Sequence, residues 1–197
     1  MNTTDIHRII WKKFHIKSHD IIPFRGWFGT RDTLAELFND LGYKVGAEIG
    51  VQVGHYSRQL CKSVPGLKLK CIDPWMAYNR VTQEQQDERY AMAVENLSPY
   101  NVEIIRKTSI DAVNDVADSS LDFVYIDGLH TFDSVMLDII FWARKVRVGG
   151  IVSGHDYTTG YKMGIVHSVL GYASAHNIAN VYLTLEQRNP SFFWVKE

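Results

Sequence analysis

A chain of 197 residues, 46% of them hydrophobic, is long enough to bury a substantial core, and its length suits one domain better than two. Its 21 basic and 22 acidic residues leave a formal charge of -1, so no overall positive field exists to hold a phosphate backbone and nucleic acid is a poor candidate partner. No apolar run approaches the ~20 residues that span a bilayer, and the opening MNTTDIHRIIWKKF lacks the apolar stretch of a secretory leader; a cytoplasmic protein with no membrane partner is expected.

The first 44 residues mix helical and loop signals and read as a lead-in to a domain spanning 45–197. Ile6, Ile9, Ile10 and Phe14 share one helical face, with Thr3, Thr4 or Asp5 available to cap its start. Such a helix can pack beside a sheet or on a second copy of the chain, which leaves a homo-oligomer open. Trp11, His15, His19, Phe24, Arg25, Trp27 and Phe28 would give this segment an aromatic, basic wall.

From Val45 onward, short apolar runs alternate with amphipathic stretches, the pattern of parallel strands joined by crossover helices. Strands are expected at 45–50, 67–73, 102–107, 121–127 and 149–154, and helices at 56–64, 82–97, 110–116, 132–146 and 161–176. NVYLTL and SFFWVK, on either side of Arg188-Asn189-Pro190, read as a closing antiparallel hairpin. The expected fold is therefore α/β: a Rossmann-like, doubly wound, mostly parallel sheet. Cys61 and Cys71 sit in no metal-binding spacing and are expected to be reduced and buried.

In an open parallel sheet, ligands collect at the carboxyl ends of the strands, so the residues there carry the functional expectation. Ala47-Glu48-Ile49-Gly50-Val51-Gln52-Val53-Gly54-His55-Tyr56-Ser57 runs from strand through a glycine turn into a helix. Gly50 permits a sharp turn, Gly54 a close approach of backbone to ligand, and the amides at the helix start face the bound molecule. The spacing is G-x-x-x-G rather than the G-x-G-x-x-G of dinucleotide sites, and Glu48 would repel a pyrophosphate while attracting an amino-acid ammonium. A nicotinamide-dependent oxidoreductase is thus a weaker alternative. Asp73 ends the second strand, where an acid can accept both ribose hydroxyls; Trp75 either covers an adenine or simply packs. Ser109 either reaches the adenine edge or caps the next helix.

AEIGVQVGHYS, IDPW, LDFVYIDGLHTFDSV and GGIVSGHDY, taken in this order, resemble the class I S-adenosylmethionine-dependent methyltransferases. The likeness covers roughly 45–157 and is nearest to small bacterial or phage-type members, with a more distant similarity to macrocin-type and catechol-type O-methyltransferases. It implies a seven-stranded sheet and a sharper use of the amino-terminal segment, as a lid over the acceptor pocket. It also implies a cofactor site of S-adenosylmethionine built by Glu48, Gly50, Val51, Gly54, Tyr56, Ser57, Asp73, Trp75, Ser109 and Asp127.

Asp127, His130, His155 and Asp156 lie at two further strand ends. Asp127, His155 and Asp156 are the expected ligands of Mg2+ or another divalent cation. His130 is the expected base, acting with Asp127 as a small hydroxylated acceptor attacks the methyl group. The resemblance matches Asp127 and His130 to the metal-binding Asp and the following histidine of macrocin-type enzymes. His155-Asp156 departs from the acid-amide pair of catechol-type ones. Other readings of the same residues are that Asp127 only hydrogen-bonds the cofactor or the loop amides, that His130 caps a helix, and that His155 is structural. Asp122, Asp133 and Asp138 read as residues of solvent faces or helix starts. The alternative function is a non-catalytic binding module on the same fold.

Overall fold

The computed structural model describes residues 2–16, 23–25, 29–160, 164–186 and 188–197. Its elements run α1 (Thr3–Lys13), β1 (Phe24–Arg25), α2 (Arg31–Asp40), β2 (Val45–Ile49), α3 (His55–Ser63), β3 (Lys68–Ile72), α4 (Gln83–Leu97), β4 (Val102–Ile105), α5 (Ser109–Ala112), β5 (Leu121–Ile126), α6 (Phe132–Lys145), β6 (Val146–Gly154), α7 (Ile165–Ala175), β7 (Tyr182–Leu183) and β8 (Phe192–Val195). One sheet has the order β1-β7-β8-β6-β5-β2-β3-β4. Every pairing is parallel except those of β8, which lies antiparallel between β6 and β7. The seven strands read from the sequence are all present, and the two-residue β1 extends the sheet beyond β7.

Helices cover both faces. Along β5, Phe123 and Tyr125 are buried on the side of α1, α2 and α3, whereas Val124 and Ile126 are buried under α6 and α7. A strand covered twice needs an unbroken apolar run, which LDFVYI supplies. The amino-terminal helices are part of this core: Ile6, Ile10 and Phe14 of α1 and Leu34, Leu37 and Phe38 of α2 join the same cluster as Phe123 and Phe193. Phe38 stacks on Phe123 with centroids 4.1 Å apart. Both cysteines are buried free thiols, and burial pushes Cys61 up to about 12.

Several local expectations need correction. Asn2 caps α1 by accepting the Asp5 amide, a task assigned above to Thr3, Thr4 or Asp5. Thr108, not Ser109, caps α5, and Thr131, not His130, caps α6. Helix α2 carried a signal that went unread: Thr30 and Thr33 form a capping box ahead of the i, i+3, i+4 apolar set Leu34, Leu37 and Phe38. Of the expected lid wall, Phe24 is buried beside Trp11 and Tyr182 in the sheet edge. His19, Trp27 and Phe28 lie outside the described residues, as does the start of the helix expected at 161–176.

Candidate active site

Backbone hydrogen bonds align the strand tips. The amide of Gly50 donates to Ile72, that of Asp127 to Ile49, that of His155 to Ile126 and that of Asp73 to Ile105. This ladder places the ends of β2, β3, β5 and β6 along one edge, with the polar residues of each following in the loops above it.

Both glycines are held close to neighbouring parts of the chain. Gly50 has φ +89, and a Cβ there would run into the carbonyl of Asp127; it lets the tips of β2 and β5 meet. Gly54, buried at φ +80, packs on Leu97 of α4, 3.0 Å from where its Cβ would be. Helix α4 also holds the loop, through a hydrogen bond from Asn96 Nδ2 to the Val53 carbonyl.

Asp73 organises the glycine loop. Its Oδ2 accepts the amides of Val51 and Gln52, both at 3.0 Å, and Oδ1 accepts that of Trp75 at 2.9 Å. A carboxylate offers about four acceptor positions, so one remains, and the expectation that Asp73 takes both ribose hydroxyls is reduced to one. Trp75 is fully buried, packs on Tyr90 and donates Nε1–H to the Gln52 carbonyl at 2.7 Å. It presents no face to a cofactor; of its two readings, packing is the one the structure shows. Its backbone sits at φ 42, a strained value held by this network.

Glu48 is 2% exposed and accepts a hydrogen bond from the fully buried hydroxyl of Ser57. Burial pushes its carboxyl up to about 8, against the pull of Ser57 and of the Arg31 guanidinium. Ser57 therefore braces Glu48 at the strand tip. Tyr56 is also buried; its hydroxyl donates to the Arg31 carbonyl and its ring lies 4.3 Å from that of Tyr125. Ser109 donates to Asp138 and accepts the Trp142 indole N–H at 2.7 Å, which leaves one lone pair on its oxygen. Asp138, expected at a solvent face, is 5% exposed, and burial raises its carboxyl to about 6. Asp122 is likewise no free surface acid: it ties the amides of Lys44 and Val45 to Arg147.

Asp127, His130 and Asp156 converge, each offering a ligand atom within 4.8 Å of the others. His130 Nε2 lies 3.5 Å from Asp127 Oδ1 and 3.2 Å from Asp156 Oδ2. Asp127 and Asp156 hold the imidazole proton more tightly than usual despite partial burial. His155 Nδ1 lies 3.1 Å from Asp156 Oδ1 and 3.9 Å from Asp127 Oδ2. Its contact with Asp156 is off the hydrogen-bonding axis, so that buried Oδ1 has no hydrogen-bond partner among the described residues. Burial would raise the Asp156 carboxyl, but His155, His130 and Arg31 together bring it below its ordinary range. Asp156 has φ 56, uncommon for a non-glycine residue. Of the expected cation set Asp127, His155 and Asp156, the two carboxylates converge with His130, and His155 lies beside both of them.

Sequence reasoning missed Arg31, the first residue of α2. Its guanidinium lies over the Tyr56 ring, 5.1 Å from the centroid, and burial of its charge is more than offset by Tyr125, Tyr56 and Asp127. A separate cavity of about 220 Å³, lined by Tyr172, His176, Trp194 and Lys196 among others, contains none of the strand-tip residues.

Comparison with known proteins agrees with this geometry. Residues 47–157, more than half of the chain, match the model of the methyltransferase domain family. The uncharacterized protein y4gI of Sinorhizobium fredii is 27% identical over 125 residues, which make up 55% of this chain but 12% of that much longer protein. Among solved structures, the Bacillus cereus O-methyltransferase in complex with SAH is similar with a TM-score of 0.64 at 14% identity, over 98% of this chain and 90% of that one. A putative caffeoyl-CoA O-methyltransferase from Staphylococcus aureus gives 0.60 at 16% identity, over 100% and 93%. A putative O-methyltransferase from Klebsiella pneumoniae gives 0.57 at 13%, over 98% and 90%. With the sheet order, the glycine loop tied to Asp73 and the match to this family all in agreement, the chain belongs to the methyltransferase domain family.

Proposed function

We propose that this methyltransferase transfers a methyl group to a hydroxyl of a small polyhydroxylated acceptor, such as a sugar, bound beside Asp127, His130 and Asp156. S-Adenosylmethionine supplies an electrophilic methyl on its sulfonium sulfur. Glu48 takes the amino-acid ammonium, the free acceptor position of Asp73 takes one ribose hydroxyl, and the remaining lone pair of Ser109 faces the adenine edge. Gly50, Val51, Gly54, Tyr56, Ser57 and Trp75 shape and brace that loop.

The observation carrying the acceptor assignment is the convergence of Asp127, His130 and Asp156, whose ligand atoms lie within 4.8 Å of one another, with Asp156 Oδ2 3.2 Å from His130 Nε2. Two carboxylates held this close repel one another, and a divalent cation offsets that repulsion. Two carboxylates at this spacing suit a hard ion such as Mg2+, held by Asp127 and Asp156. Such an ion would supply positive charge that acidifies an acceptor hydroxyl. His130 Nε2, already aimed between the carboxylates, is placed to take that hydroxyl proton. Leu129, on the loop following Asp127, and Phe132, at the start of α6, are exposed and give the rest of the acceptor an apolar surface.

The test is transfer of a labelled methyl group from S-adenosylmethionine to a panel of catechols, sugars and amines, with Mg2+ or with chelator. Transfer to hydroxyls that disappears in chelator supports the proposal. Transfer only to nitrogen, or undiminished transfer in chelator, overturns it.

A further inference from the structure

An amino acid held at the tips of β2 and β3 brings a carboxylate as well as an ammonium, and Glu48 and Asp73 can only repel the carboxylate. A cation is needed within a few ångströms of Glu48. Among the groups whose charge Glu48 senses, Asp127 and Asp73 are acids, and Arg31 is the cation. Its guanidinium lies over the Tyr56 ring, which packs 4.3 Å from Tyr125 near the tip of β5, and its charge acts on Asp127 and Asp156 there.

Its donors are available. The carbonyl of Arg31 is engaged by the Tyr56 hydroxyl at 2.8 Å and its amide by Glu186, so the backbone is pinned at the mouth of α3. The guanidinium rests over the Tyr56 ring, and no hydrogen bond or ion pair holds it to an acid among the described residues. A half-buried guanidinium fixed by stacking and by a pinned backbone, with its N–H groups unspent, is preorganised for a bidentate carboxylate.

We propose that Arg31 is the carboxylate-binding residue of the cleft, gripping the methionine carboxylate of the cofactor while Glu48 receives the ammonium. The assignment rests on the cofactor placement proposed above and extends it to an element that precedes the first core strand and lies outside the family match. The charges then alternate across the site: Arg31 for carboxylate, Glu48 for ammonium, Asp73 for ribose.

Calorimetry with two probes tests it: S-adenosylhomocysteine, and its decarboxylated analogue, which keeps the ammonium. Arg31→Gln should weaken the first about tenfold to a hundredfold, the loss of one charge-assisted pair, and change the second less than about twofold. Arg31→Lys, which keeps the charge but not the fork, should fall between, and both variants are checked for native-like thermal unfolding. Equal weakening of both probes, or S-adenosylhomocysteine affinity unchanged in Arg31→Gln, overturns the assignment. Failure of the unaltered protein to bind either probe would instead remove the cofactor placement itself, and this inference with it.

Discussion

Replacing Glu48 with Gln should make the protein more stable and less able to bind its cofactor. Inside the fold the carboxyl is raised from 4.5 to about 8, chiefly by burial. Below its ordinary value the group is protonated in both folded and unfolded chains and costs nothing. Between 4.5 and about 8 the unfolded chain ionises while the folded one does not, so stability is lost as pH rises through this window. At ~1.4 kcal/mol per pH unit, the penalty at pH 7 is on the order of 3 kcal/mol. A neutral Gln can still accept the Ser57 hydrogen bond and escapes that penalty, although its buried amide hydrogens return part of the gain. A net stabilisation of about 1–3 kcal/mol, or roughly 3–10 °C in a domain of this size, is expected. Thermal unfolding at pH 5, 7 and 8.5 measures it: the gain should be small at pH 5 and large at pH 7 and above. In calorimetry, the unaltered protein should release close to one proton on binding S-adenosylhomocysteine at pH 7, as the arriving ammonium ionises Glu48, and the variant should release none and bind more weakly. A variant less stable at pH 7, or a gain independent of pH, would refute the claim that Glu48 is held protonated.

Asp156→Ala should lower Mg2+-dependent methyl transfer a hundredfold or more while leaving S-adenosylhomocysteine affinity within about twofold, as a rate assay and calorimetry would show. With His130 as the base, the rate should climb with pH as the imidazole loses its proton. His130→Gln should remove that limb and cost about 10²–10⁴ in kcat with little change in the KM for the cofactor. Gly50→Ala adds a Cβ aimed at the Asp127 carbonyl at a backbone φ of +89; a loss of about 2–4 kcal/mol in denaturant unfolding and of detectable cofactor binding is expected.

The strands and most helices were legible because their signals are local: LDFVYI is apolar throughout since both faces are covered, and Thr82 stands before an amphipathic run. The strand-tip positions of Glu48, Asp73, Asp127 and Asp156 followed from the same logic, since a parallel sheet gathers its carboxyl ends. What each side chain does there was less readable. Whether Trp75 faces a cleft or the core depends on Tyr90 and Gln52, and the burial of Asp138 depends on Ser109 across 29 residues of chain. Gly54 is small for the sake of Leu97, a partner no motif specifies. Arg31 escaped notice because its place beside Tyr56 is a long-range contact, although the capping box before α2 could have flagged the helix that carries it.

The placement of the cofactor is tested most directly by a crystal structure of the protein grown with S-adenosylhomocysteine and Mg2+. We expect the amino-acid end between Glu48 and Arg31, a ribose hydroxyl on Asp73 and the sulfur turned toward Asp127 and His130. Adenosine bound elsewhere, or a ligand whose ammonium lies beyond hydrogen-bonding or water-bridged reach of Glu48, would contradict it.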